Sequence, residues 1–184
     1  MKENRGITMV TLVITIVVLL IIAGISIGTG NKVIKSSELE NIKTNMLLIK
    51  IKGKEYVENA NFNIGTAFDK ITDETEKANR ISKAKAELKG TEITDVSEID
   101  ENIGITETQF QKDIADLIFY YNLTTEDLID MGISNVKSDE KNGWYIIKYN
   151  IKDVEVEVYN TAGFENEEGK YYSLNELQNL EIDF

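Results

Sequence analysis

The sequence predicts an α+β protein in which a long amino-terminal helix precedes a head of short helices and a small antiparallel sheet. Three observations predict it: an uncharged apolar run near the amino terminus, an amphipathic helical pattern that continues it, and a change to strand-like alternation beyond Gly143. With 184 residues, 20.8 kDa and a net charge of -12, the chain suits one modest domain plus an appendage. His, Cys and Pro are all absent, which removes imidazole bases, thiol nucleophiles, disulfides and zinc sites built on sulfur or imidazole. The acidity, with no basic aromatic patch, argues against nucleic acid as a partner, because neutralising phosphates supplies most of that affinity.

The apolar run is the first element. Between Arg5 and Lys32 lie 26 consecutive uncharged residues, with an apolar centre over residues 10–23. As a helix rising ~1.5 Å per residue, residues 7–28 reach about 33 Å, enough for a hydrocarbon core of about 30 Å. Thr8, Thr11 and Thr15 do not forbid burial in lipid, since their hydroxyls can bond back to helix carbonyls. The run predicts a transmembrane helix over residues 7–30. Charge does not orient it: Lys2 and Arg5 precede the span, while Lys32, Lys35 and Lys43 follow closely.

The leader MKENRG, followed by ITMVTLVITIVVLLIIAGISI, resembles the class III signal of type IV pilins, type II secretion pseudopilins and related prepilins. The resemblance covers roughly the first thirty residues. Ordinary secretory signals place small residues after the apolar stretch rather than before it. The resemblance implies a leader of residues 1–6, cleavage between Gly6 and Ile7 by a prepilin peptidase at the cytoplasmic face, and N-methylation of Ile7. It also implies a cytoplasmic amino end, an extracytoplasmic head, and neighbouring pilin or pseudopilin subunits as partners through the apolar helix. Membrane lipid would surround that helix until the subunit enters an extracellular filament.

Two positions depart from the family pattern. Thr11 stands at the fifth mature position, where the family usually has a Glu that pairs with the methylated amino group of a neighbouring subunit. A lone carboxylate at bilayer depth costs on the order of 2.5 to 3.5 kcal/mol, so Thr11 inserts more easily but gives up a charge-assisted docking contact. Some minor pseudopilins and many Gram-positive prepilin-like proteins also lack this Glu, which points towards a minor subunit. Gly28 stands where many pilin helices carry a kinking Pro. Each Gly costs a helix interior ~1 kcal/mol relative to Ala, so Gly28 and Gly30 predict a soft joint. Gly24 and Gly28 also match the small-xxx-small spacing of close helix pairs.

Residues 31–60 are expected to continue the helix as an amphipathic spine. Leu39, Ile42, Met46, Ile49, Tyr56 and Ala60 recur at three- and four-residue steps, with Gly53 in the gap. Glu38, Glu40, Lys43, Lys50, Lys52 and Lys54 occupy the other face. Interleaved Glu and Lys make a helix lying on the membrane surface the weaker reading. The head is assigned to residues 61–184, with residues 61–65 ending the spine.

A charged helix follows from Asp73 to Leu88, stopped by Gly90, with acidic residues in its first turn and Lys83, Lys85 and Lys89 towards its end. Its apolar seam is Ala78, Ile81, Ala84 and Leu88. Residues 91–104 read as an acidic irregular loop. Thr106 and Gln109 open a third helix that carries Phe110, Ile114, Leu117, Ile118 and Tyr121 on one side. Thr124 caps a short helix over residues 125–131, closed by Gly132. Beyond the turn at residues 138–143, strands over 144–149 and 154–159 form a hairpin. Alternation in the second leaves one face buried and one hydrated. An acidic loop over 163–169 and a third strand over 170–174 precede Leu177 and Leu180.

Candidate chemical sites are few. Glu165, Asn166, Glu167 and Glu168, or Asp139, Glu140 and Asn142, offer oxygen ligands to calcium, yet neither stretch has EF-hand spacing; no metal or cofactor is expected. Asp95, Glu98 and Asp100 are paired carboxylates with nothing around them to suggest a cleft, so no enzyme is expected. Asn122-Leu123-Thr124 matches a glycosylation sequon, but these residues are more simply turn and cap residues. Tyr120, Tyr121, Tyr145 and Tyr149 recur at core spacing.

The functional expectation is a prepilin-like structural subunit assembled into a type IV pilus or a type II secretion pseudopilus. A single-pass anchored extracellular binding domain that never polymerises is the alternative from another class. A third is a secreted protein cut by ordinary signal peptidase after Ser26-Ile27-Gly28.

Overall fold

A computed structural model describes residues 9–65 and 67–180, with side chains from Ile34 onward. It is α+β, with a long amino-terminal helix and a five-stranded antiparallel sheet. Two compact units divide the chain, one up to Glu40 and one from Asn41 to Leu180. The described part of the first is helix throughout. Helix α1, Met9–Ile64, is continuous in backbone through Gly28 and Gly30. Among the described residues no helix is long and apolar enough to cross a membrane. The transmembrane span expected over 7–30 lies outside the residues whose side chains are described.

Within the second unit, α1 buries Met46, Ile49, Gly53, Val57, Ala60 and Ile64. This stripe differs from the expected one: Val57 replaces Tyr56, which is only half-buried, as is Ile42. The opposite side is not uniformly polar either, since Leu47, Leu48 and Ile51 are exposed there beside the charged residues. The helix ends where expected. Gly65 adopts a φ of +75°, its N–H bonds the Asn61 carbonyl at 3.0 Å, and the Arg80 guanidinium bonds the Ile64 carbonyl at 3.1 Å.

Helix α2 (Glu74–Lys85) is capped by Asp73, whose carboxylate accepts from the Thr75 and Glu76 N–H groups. It stops earlier than expected, before a turn over 86–88. The next residues, read as irregular, instead form the short edge strand β1 (Thr91–Ile93) and two 3-10 turns, Val96–Glu98 and Glu101–Ile103. Helix α3 (Glu107–Ala115) starts at the Thr106 cap but does not reach Tyr121. Leu117 takes a φ of +63°, which breaks the helix and turns the chain into strand β2 (Ile118–Leu123). The run Ile118-Phe119-Tyr120-Tyr121 is β-branched and aromatic, and its three aromatic residues are buried on both faces of the sheet, so helical spacing and strand burial coincide in it.

Helix α4 (Thr125–Asp130) forms as expected, with Thr124 and Asp127 in a reciprocal capping box. Strands β3 (Tyr145–Asn150) and β4 (Glu155–Glu165) make the expected hairpin, and β5 (Lys170–Ser173) pairs with the far end of β4. The last element is α5 (Leu174–Gln178), capped by Ser173 and Glu176. Burial pushes the Glu176 carboxyl up, but bonds from Ser173 and Tyr172 outweigh it and hold it below its ordinary value. Strand order is β1-β2-β3-β4-β5, every neighbour antiparallel.

Both faces of the sheet are covered. On one, Phe119, Tyr121, Leu123, Tyr145, Ile147, Tyr149, Val156 and Val158 are buried. Helix α1 lies over this face, with Gly53 against Ile147 and Val156 and the Asn61 amide donating to the Ile151 carbonyl at 2.8 Å. On the other, Ile93, Ile99, Phe110, Tyr120, Ile146 and Tyr159 form a second core roofed by the 3-10 turns and α3. Over residues 154–159, where a hydrated face was expected, only Glu155 is exposed, and Val154 and Glu157 are half-buried.

Ser138 pins the loop before β3. Its buried hydroxyl donates to the Leu123 carbonyl and accepts from the Tyr145 N–H at 3.0 Å. Ser138→Ala leaves that buried N–H without its acceptor, an expected loss of about 1 to 3 kcal/mol. A urea titration followed by Trp144 emission checks it.

Candidate functional site

The second face carries two polar features. The first is a cluster around Asp113, on the inward side of α3 and almost fully buried. Its carboxylate accepts from the Gln109 amide at 2.6 Å, from the Lys148 ammonium at 2.8 Å, and from the Tyr120 hydroxyl. Burial pushes the carboxyl up, but the bonds from Lys148, Tyr120 and Gln109 outweigh it, so Asp113 stays below its ordinary value. Tyr120 is moved far upward, first by burial and then by the Asp113 bond, so its hydroxyl remains a donor. Lys148 also sits 5.3 Å from the Tyr120 ring centroid. Each charge is matched by another group in the cluster. Chemically the arrangement ties α3 to β2 and β3.

The second feature is an open groove of about 750 Å³ at the other end of this face. Its apolar lining is Val96, Ile99, Ile105 and Ile146. Asn122 and Ile146 are direct cross-strand partners, which places both side chains on the groove side. The rim is set by a bulged corner of β4. There the fully buried Asn160 amide oxygen accepts from the Ala162 and Gly163 N–H groups at 3.0 and 3.2 Å. The Trp144 N–H then donates to the Thr161 hydroxyl at 2.8 Å. Gly143, with a φ of +81°, permits this approach, since a Cβ there would lie 2.5 Å from the Ala162 nitrogen. Trp144 and Thr161 both line the groove, and Trp144 remains 40% exposed.

The expectation that no cleft surrounds Asp95, Glu98 and Asp100 is corrected: Glu98 and Asp100 line the groove, while Asp95 lies just outside its lining. Their immediate work is local. Asp95 caps the first 3-10 turn, Glu98 accepts from the Thr94 and Asp95 N–H groups, and Asp100 caps the second turn at Asn102. The Ser97 N–H, donating to the Asp95 carboxylate, holds it below its ordinary range.

The remaining expectations separate. Asn166 closes the β4–β5 turn by accepting from the Glu168 and Gly169 N–H groups, with Glu165 at the end of β4. Asp139 accepts from the Asn142 and Lys141 N–H groups, and the Asn142 bonds are the main reason its carboxyl lies below its usual value. Among the described residues no group of carboxylates is arranged to hold a metal ion. Thr124 is the helix cap expected of it, whereas Asn122 is a strand residue and not a turn residue. Tyr120, Tyr121, Tyr145 and Tyr149 are buried, as expected. Gly6 and Ile7 lie outside the described residues. Thr11 lies in the helical backbone of α1, and its side chain lies outside the described residues.

Sequence reading missed Asn122, Trp144, Ile146 and Thr161 as one surface. Asn122, Ile146 and Thr161 come from three strands and Trp144 from the residue before β3, and the alternation of residues 144–149 was the only signal that Trp144 and Ile146 share a side. Comparison with protein-family models, with curated proteins and with solved structures gives no match.

Proposed function

We propose that the chain is a prepilin-like structural subunit, cleaved after Gly6 by a prepilin peptidase, methylated at Ile7, and assembled as a minor subunit into a type IV pilus or type II secretion pseudopilus. The observation that carries this reading is the six-residue basic leader ending in Gly directly against a 25-residue uncharged run, residues 7–31. A helix of 56 residues leading into an α+β head supports it as a compatible architecture. The mechanism is assembly: apolar helices bundle, and acidic heads remain in water. The head lies outside the bacterial membrane and the amino end starts at the cytoplasmic face.

The test is the mass of the mature amino terminus from the native host. Loss of residues 1–6 with a methyl on Ile7 is expected, and Gly6→Leu is expected to abolish both. An intact Met1 end, or an end at Thr29, overturns the proposal. Thr11 in place of Glu fits equally well a second reading, an anchored binding domain that does not polymerise. Sheared extracellular filaments containing the chain count against that reading, and protein found solely as membrane-bound monomer counts for it.

A further inference from the structure

We infer that the groove between the 3-10 segment and the Trp144–Thr161 corner is a docking site for an extended basic segment of a partner protein, taking an Arg or Lys side chain. Charge complementarity selects this occupant. Glu98, Asp100, Glu101 and Glu107 line the groove, and among the described residues no Lys or Arg does. Glu98 and Asp100 accept local backbone bonds, while Glu101 and Glu107 are exposed. A low-dielectric wall behind them strengthens their field on a bound cation relative to bulk water.

The rest of the lining fits the remainder of such a side chain. Ile99, Ile105 and Ile146 offer an apolar surface to an alkyl stem, which Arg and Lys bury while keeping their heads polar. Trp144 presents an indole, the strongest aromatic partner for a guanidinium. Asn122 is half-buried and its Oδ1 has no hydrogen-bond partner among the described residues, while a guanidinium brings several N–H donors in a fixed fork. A neutral sugar uses the indole and the amide but leaves the acidic lining unmatched.

Trp144 is the only tryptophan in the chain, so its emission reads the groove directly. Full-length protein in a nonionic polyoxyethylene detergent is titrated with tri-arginine amide at low ionic strength. A saturable emission change is expected, with affinity weakened about tenfold in the double variant Glu101→Gln/Glu107→Gln. Glu165→Gln/Glu168→Gln removes the same charge at the β4–β5 turn and is expected to leave affinity within about twofold. The inference is overturned by the absence of a saturable change or by equal weakening in both double variants. A response to triglutamine amide or maltotriose that matches or exceeds the tri-arginine response also overturns it. So does an emission change that follows protein concentration without any probe, since a second copy is then the occupant.

Discussion

Gly53→Leu is expected to lower the stability of the head by about 3 kcal/mol or more, whereas Gly53→Ala changes it by about 1 kcal/mol or less. A Cβ at this position would lie 2.5 Å from Ile147 Cδ1 and 3.2 Å from Val156 Cγ1. For Ala, the helix gains ~1 kcal/mol of propensity, and the nearer obstacle is the flexible end of one side chain. The gain and the overpacking therefore nearly cancel. A Leu adds a branched group where Ile147 and Tyr149 are already fully buried. Helix α1 must then lift from β3 and β4, loosening Met46, Ile49 and Val57. Urea midpoints for the two variants in detergent, read at Trp144, give the contrast; equal midpoints would mean that the helix does not approach the sheet here as closely as described.

Asp113→Ala is expected to cost about 3 kcal/mol, the lower end of the range for breaking a buried pair, because Lys148 retains 20% side-chain exposure and can reach water. The penalty comes mainly from what stays behind, an ammonium and a phenol facing an empty site. The pH dependence has a definite sign. Folding depresses the Asp113 pKa below the ordinary 3.8, so its contribution is complete above that value and is lost as pH falls through the folded pKa. Asp113→Asn should therefore narrow the gap to wild type below about pH 4 while leaving it wide at pH 7. Stability measured at both pH values checks this, and a gap that widens on acidification contradicts it.

Legibility in the sequence tracked how far each element depends on its own residues. Helix α2, helix α4 and the β3–β4 hairpin announce themselves through Asp73, Thr124 and the Val-Glu-Val-Glu-Val alternation, all local signals. Strand β2 does not, because Phe119, Tyr120 and Tyr121 are buried in turn on opposite faces of a central strand. Misplacing β2 also hides β1, whose three residues have strand character only once Ile93 pairs with Tyr120. The groove was lost by the same route. Two of its carboxylates were visible at Glu98 and Asp100, but its other wall needs Asn122 on a strand beside Ile146, with the β4 bulge bringing Thr161 to Trp144.

The sheet's spatial order repeats its order in the chain, β1 through β5. A polypeptide delivered amino end first can therefore pair each new strand with one already in place. No gap waits for a later segment, and short sequence separation between partners favours fast closure. Both outer ribbons are brief, three and four residues, and carry Glu92 and Lys170, so little bare backbone is offered to a neighbouring chain while the sheet completes. Such an arrangement suits a domain that matures progressively as it emerges, behind a long helix that has already left the ribosome.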